Sequence, residues 1–139
     1  MKNNILIREY NDKDFKDVSR IIKEAFNYEK KDIKDDNSKE FVCTIDDKVV
    51  GYFYIHLKRD IIKNILIGDI EYVCVDEDYR EQGIGGKMMD FAEMYSKDNG
   101  IARLELTSGN QRIAAHKLYL SHGFLKRDTS VFRKDINIL

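Results

Sequence analysis

The run Val73-Cys74-Val75 reads as the end of a strand, Asp76-Glu77-Asp78-Tyr79 as a polar turn, and Arg80-Glu81-Gln82-Gly83-Ile84-Gly85-Gly86-Lys87 as the glycine-rich opening of an amphipathic helix. That order of residue types suits an anion. The first amides of a helix have no intrahelical acceptor, and the helix end carries about half a positive charge. A phosphate or pyrophosphate is therefore stabilised there. Glycines at such a place keep side chains out of the approach.

Two phosphate-binding motifs are excluded. A P-loop requires Ser or Thr after Gly86-Lys87, where Met88 stands, and an earlier glycine where Glu81 stands. The dinucleotide pattern starting at Gly83 requires a third glycine at Met88, and no strand with an acidic tip follows as that fold demands. What remains is R-x-x-G-x-G, formed by Arg80, Gly83 and Gly85. A plain helix-start turn is the competing explanation.

The elements that must position this loop follow from periodicity. Residues 5–8 form a short strand, and Phe15, Val18, Ile21, Ile22, Ala25 and Phe26 recur at helical spacing behind the N-cap candidate Asn11. Residues 28–40 are charged and predict a surface loop. Residues 41–45 and 49–57 are β-branched and aromatic, and Asp46-Asp47-Lys48 between them predicts an antiparallel hairpin. Residues 58–64 give no clear pattern. Residues 65–75 read as a strand with a bulge or bend at Gly68-Asp69. Ile84, Met88, Phe91, Ala92 and Tyr95 share one helical face, Asn99-Gly100 supplies a stop, and residues 102–107 form the next strand. A helix over 111–121, with Asn110 as its N-cap candidate, leads to strand candidates 124–126 and 131–134.

The R-x-x-G-x-G loop resembles that of the GNAT family of N-acetyltransferases. The resemblance runs from about residue 70 to residue 124 and includes a second block, L-T-S-G-N-Q-R-I-A-A-H-K-L-Y-L-S-H-G-F, at 106–124. Two blocks in the right order are far more specific than either alone. The resemblance implies a single α/β domain over residues 1–139. Its mixed, mostly antiparallel sheet would have six to seven strands, helices on both faces and a splay between two central parallel strands.

It also implies acetyl-coenzyme A as co-substrate and direct transfer of its acetyl group to an amine. Backbone groups of Val73, Cys74 and Val75 would meet the pantetheine arm. Arg80, Glu81, Gln82, Gly83, Ile84, Gly85, Gly86 and Lys87 would surround the pyrophosphate, with Asn110 and His116 near the cofactor. Tyr119 matches the family's helix tyrosine. Since free thiol and phenol pKa values are about 8.5 and 10, a protonated Tyr119 can protonate the departing thiolate. Core packing is its alternative role. Glu71, two residues before Val73 and on the same face of an extended strand, is the candidate general base, with Glu105 as the fallback. The string containing Arg112, Ala115 and His116 resembles the subgroup that acetylates small primary amines, including aminoalkylphosphonates, and an arginine suits a phosphonate. Other readings of the same loop are a protein N-terminal or lysine acetyltransferase and a non-catalytic acyl-coenzyme A binding module.

Bulk composition fits a small-molecule partner. The 139 residues suit one core, and 42% hydrophobic with 35% charged residues argues for a folded globule with a solvated surface. With 24 Lys and Arg against 25 Asp and Glu, the net charge of −1 gives no broad attraction to nucleic acid or anionic lipid. No apolar signal region or membrane-length window is present, which predicts a cytoplasmic protein. In a reducing compartment Cys43 and Cys74 are expected to pack as free thiols. His56, His116 and His122 lack partners at metal-ligand spacing, so no metal is expected. Dimers are frequent in the family, and residues 131–139 are a candidate interface strand, with the oligomeric state left open.

Overall fold

The computed structural model describes residues 4–137. Five strands form one sheet in the order β1-β2-β3-β4-β5: Ile5–Glu9, Ser38–Ile45, Lys48–Asp60, Ile65–Val75 and Ile101–Glu105. The first four pair antiparallel, and β4 pairs parallel with β5. Helix α1 (Phe15–Phe26) covers one face and α2 (Ile84–Asp98) the other, with α3 (Ile113–Ser121) against α2. This is the mixed sheet with helices on both faces that the resemblance implies, with five strands among the described residues in place of six to seven. The strands expected at 124–126 and 131–134 do not form. Residues 125–137 run without strand or helix, leaving Phe132 93% exposed. Residues 138 and 139, the end of the expected interface strand, and residues 1–3 lie outside the described part.

Alternation along the strands divides the core into two layers. Phe41, Cys43, Phe53, Ile55 and Ile70 face α2 and pack on Ile84, Met88, Met89 and Ala92. Their neighbours Val42, Tyr52 and Cys74 face α1 and pack on Val18, Ile21 and Ile22. Both cysteines are buried and unbridged, as expected.

Turn chemistry sets the register. Asp46 and Asp47 both adopt left-handed torsions (φ 48° and 69°), so β2 and β3 join through two residues and Lys48 already pairs with Ile45. The indistinct segment 58–64 extends β3 to Asp60 and then turns, with Asp60 Oδ1 accepting from the Ile62 and Lys63 amides at 3.0 and 3.1 Å. Asn11 does cap, but it caps a short 3-10 turn over Asp12–Asp14 that precedes α1.

The irregularity in β4 is not where the glycine suggests. Gly68 pairs regularly with Leu57; its missing side chain serves packing, since a Cβ there would lie 2.8 Å from Ile55 Cγ2. The bulge against β3 falls instead at Tyr72 and Val73, where Tyr52 pairs with Cys74 and Tyr54 with Glu71. Tyr72 adopts φ 54°.

Candidate active site

Pairing between β4 and β5 stops at Asp69 and Glu105, so from Glu71 to Val75 the edge of β4 facing β5 has no strand beside it. The two strands part as the splayed fold requires. A cleft of about 220 Å³ opens there, bordered by Glu71, Tyr72 and Val73 of β4, the 106–109 segment after β5, and Arg112 and Tyr119. Glu71 and Tyr119, 48 positions apart in the sequence, thus border one cavity. Glu105 is not among its lining residues.

The bulge changes how Glu71 is presented. In an unbroken strand Glu71 and Val73 would share a face; here Val73 packs with the α2 layer, while Glu71 sits opposite Tyr54, which packs with the α1 layer. Burial raises the Glu71 pKa above the usual carboxylate range, and the nearby charge of Asp69 raises it further, with His56 working against both. Tyr119 is half-buried and packs edge-on against Phe124 at 6.0 Å between ring centroids. Burial raises its pKa, opposed by Arg112. The phenol therefore keeps its proton at neutral pH. Arg112 lies over the Phe26 ring at 4.5 Å, joining the start of α3 to the end of α1.

At the other end of the splay the chain leaves β4 through a 3-10 turn, Glu77–Tyr79. Asp76 fixes it. Its buried carboxylate accepts from the Asp78 amide at 3.0 Å and pairs with Arg20 of α1 at 3.0 Å. Burial disfavours the charged form, but those two interactions prevail and hold the Asp76 pKa below the usual range. Lys48 over the Tyr79 ring, at 5.1 Å, anchors the same turn.

In the loop itself Arg80 Nε donates to the Val75 carbonyl at 3.3 Å, and Glu81 and Gly83 take left-handed torsions (φ 64° and 77°). The first helical bond of α2 runs from the Lys87 amide to the Gly83 carbonyl, so the amides of Ile84, Gly85 and Gly86 point out of the helix start unpaired by it. No atom lies within 4 Å of where a Cβ on Gly83 would be. This end of α2 fits a pyrophosphate.

The glycines divide their work. Gly83 supplies the left-handed turn. Gly85 and Gly86 face α3, where a Cβ would meet Leu118 Cδ2 at 2.9 Å and His122 Nε2 at 3.0 Å. Their smallness lets the helix bearing Tyr119 approach. Ile84 is a core residue, whereas Gln82 and Lys87 are exposed. Cys74 is buried on the α1 side, its thiol 3.8 Å from the Tyr52 carbonyl. Asn110 is not a helix cap: Arg112 takes that position, and Asn110 lies in the exposed turn closed by the Arg112 amide and the Gly109 carbonyl at 3.0 Å. His116 is half-buried on α3. Residues 58–64 do not line this cleft.

Sequence reasoning passed over Tyr72 and Asp76. Tyr72 resembles any strand aromatic, and nothing local announces its bulge. Asp76 had a usable signal, an aspartate two residues before the Asp78 amide it caps.

The sequence profile described as Acetyltransferase (GNAT) family matches residues 4–124. The chain belongs to this family. An uncharacterized N-acetyltransferase of Methanocaldococcus jannaschii is 31% identical over 99 residues, covering 69% of this chain and 43% of that protein. An aminoalkylphosphonate N-acetyltransferase of Salmonella typhimurium is 30% identical over 77 residues, 55% of this chain and 50% of that protein. The chain thus spans about half the length of these curated relatives or less. Among solved structures, a ribosomal-protein-alanine N-acetyltransferase from Brucella melitensis superposes with a TM-score of 0.82 at 15% identity, covering 95% of this chain and 99% of that one. An aminoglycoside acetyltransferase from an uncultured soil metagenomic sample gives 0.81 at 18%, covering 96% and 97%. These likenesses establish the fold.

Proposed function

We propose that this acetyltransferase moves the acetyl group of acetyl-coenzyme A directly to a primary amine on a small molecule. The observation that carries the reading is the meeting of Glu71 and Tyr119 in one cleft at the parting of β4 and β5. Acetyl-coenzyme A supplies the thioester whose acyl carbon the amine attacks as the C–S bond breaks. The unpaired amides at the start of α2, beside Arg80, hold the pyrophosphate, and the free edge of β4 at Val73 and Val75 bonds the pantetheine amides. Glu71 takes the proton the attacking nitrogen must lose, through a water where contact is not direct. Tyr119 gives its phenolic proton to the departing sulfur. The aminoalkylphosphonate relative and the position of Arg112 at the cleft support a small acceptor.

The test is thiol release from acetyl-coenzyme A across a panel of small amines, aminoalkylphosphonates and peptides with free N-termini or lysines, alongside calorimetry of acetyl-coenzyme A binding. Turnover of small amines is expected. Turnover confined to peptides would make the chain a protein acetyltransferase, binding without turnover would make it an acyl-coenzyme A module, and no binding would overturn all three.

A further inference from the structure

A second cleft, of about 320 Å³, lies on the α1 side of the sheet and shares Tyr72 with the first. Tyr72 is turned there by its left-handed torsion. Its ring stacks on Tyr54 (6.1 Å, 23° between planes) and meets Phe26 and Tyr28 edge-on at 5.2 and 6.2 Å. The opposite wall is the 28–37 segment, with Ile33 and Tyr28 68% and 60% exposed. Large apolar side chains held open to solvent beside a reaction cleft mark a surface that a ligand covers.

Charge in this cleft is already used within the protein. Glu40 accepts the Tyr52 hydroxyl at 2.6 Å and pairs with Lys30 at 3.3 Å. Glu29 pairs with Lys23. Asp35 accepts from the Ser38 hydroxyl and the Asn37 amide and lies 3.6 Å from His56 Nδ1. Among the described lining residues Lys31 has no ion-pair partner, and its charge opposes a second ammonium group; Asp35 has its two hydrogen-bond donors and an ion pair only when His56 is protonated. What remains uncharged for a ligand is tyrosine ring and hydroxyl and aliphatic surface.

Resting on the acetyl-transfer reading above, we infer that the acceptor is an arylalkylamine. Its amine lies at Glu71 while its ring enters the cleft against Tyr28, Tyr54, Tyr72 and Ile33. Volume permits this: an apolar cavity of about 150 Å³ holds benzene, and the cleft has about twice that. Each aromatic pair adds about two- to tenfold in affinity beyond its buried area.

The experiment compares kcat/KM for 2-phenylethylamine, n-hexylamine and 2-aminoethylphosphonate in the intact protein and in Tyr28→Ala and Ile33→Ala variants. A preference of about tenfold or more for the aryl amine over hexylamine is expected, falling toward unity in Tyr28→Ala. The dissociation constant of acetyl-coenzyme A, measured by calorimetry, should not move. Equal rates, a preference for the phosphonate, or a preference untouched by both variants would overturn the inference. Should no amine be acetylated, the acetyl-transfer reading fails and binding decides this one. 2-Phenylethylamine must then shift the ring resonances of Tyr28 and Tyr72 saturably in NMR titration, and no shift at about 10 mM, which nearly saturates a site with a dissociation constant of about 1 mM, overturns it.

Discussion

Tyr72 holds a backbone torsion that costs a non-glycine residue about 1–2 kcal/mol, and the torsion determines which faces Glu71 and Val73 occupy. Because burial and Asp69 raise the Glu71 pKa, a base there becomes competent only as pH rises through a value above the ordinary carboxylate range. The rate profile should show an acid limb in that region, separate from the limb of the acceptor amine at higher pH. In Glu71→Gln the lower limb should vanish and kcat/KM should fall by about 10²–10⁴, the usual scale for a general base. A profile that keeps its lower limb would remove Glu71 from the mechanism. Tyr119 acts with the opposite sign. Its raised pKa keeps it a donor until pH exceeds the ordinary phenol range, so Tyr119→Phe should lower kcat about a hundredfold near neutrality while leaving acetyl-coenzyme A affinity nearly intact. Single-turnover rates with calorimetry separate the two effects.

The turn from β4 into α2 is held less by its own sequence than by a long-range pair, Asp76 with Arg20, 56 positions apart. Removing the carboxylate in Asp76→Ala deletes both the cap on Asp78 and the ion pair, and should cost about 1–2 kcal/mol of stability. Since the folded-state pKa of Asp76 is depressed, its contribution is present above the unfolded value of about 3.9 and disappears as pH falls through the folded value. The gap in Tm between wild type and Asp76→Ala should therefore narrow from pH 7 to pH 3. A gap constant across that window would show that the charge contributes nothing. The same variant should raise KM for acetyl-coenzyme A, because the turn it loosens carries Arg80 toward the start of α2.

For the whole molecule, α1 and α2 press on opposite faces of one sheet, and the cleft exists because β5 stops following β4. A ligand lying along that gap bridges both strands and the start of α2, so its binding energy adds to global stability. At a hundredfold excess over its dissociation constant, acetyl-coenzyme A should stabilise the fold by about 2.7 kcal/mol. For a chain this size that corresponds to a rise of about 5–10 °C in Tm. Differential scanning calorimetry measures it, and amide exchange should slow most in the second half of β4 and the loop after it. Slowing confined to α1 would contradict the proposed site.

The resemblance of two blocks was enough to read the family, and local chemistry was enough to read the glycine-rich helix start, most strands and both main helices. Glycine placement, helix stops and two-residue periodicity act over a few residues and leave their trace in the order of residue types. Helix α2 begins behind Gly83 and ends at Asn99-Gly100 as that order requires. The tertiary structure decided what depends on contact between distant segments. The bulge lies at Tyr72 rather than at Gly68, because Gly68 is needed where Ile55 crowds it. Gly85 and Gly86 serve the approach of α3, an approach that no local pattern encodes. Glu71 and Tyr119 come together only because a parallel strand pair parts, and four tyrosines from three segments line a second cleft only when the 28–37 segment folds over the sheet. Such juxtapositions are set by packing, whose energy depends on which surfaces meet rather than on the order of residues along the chain.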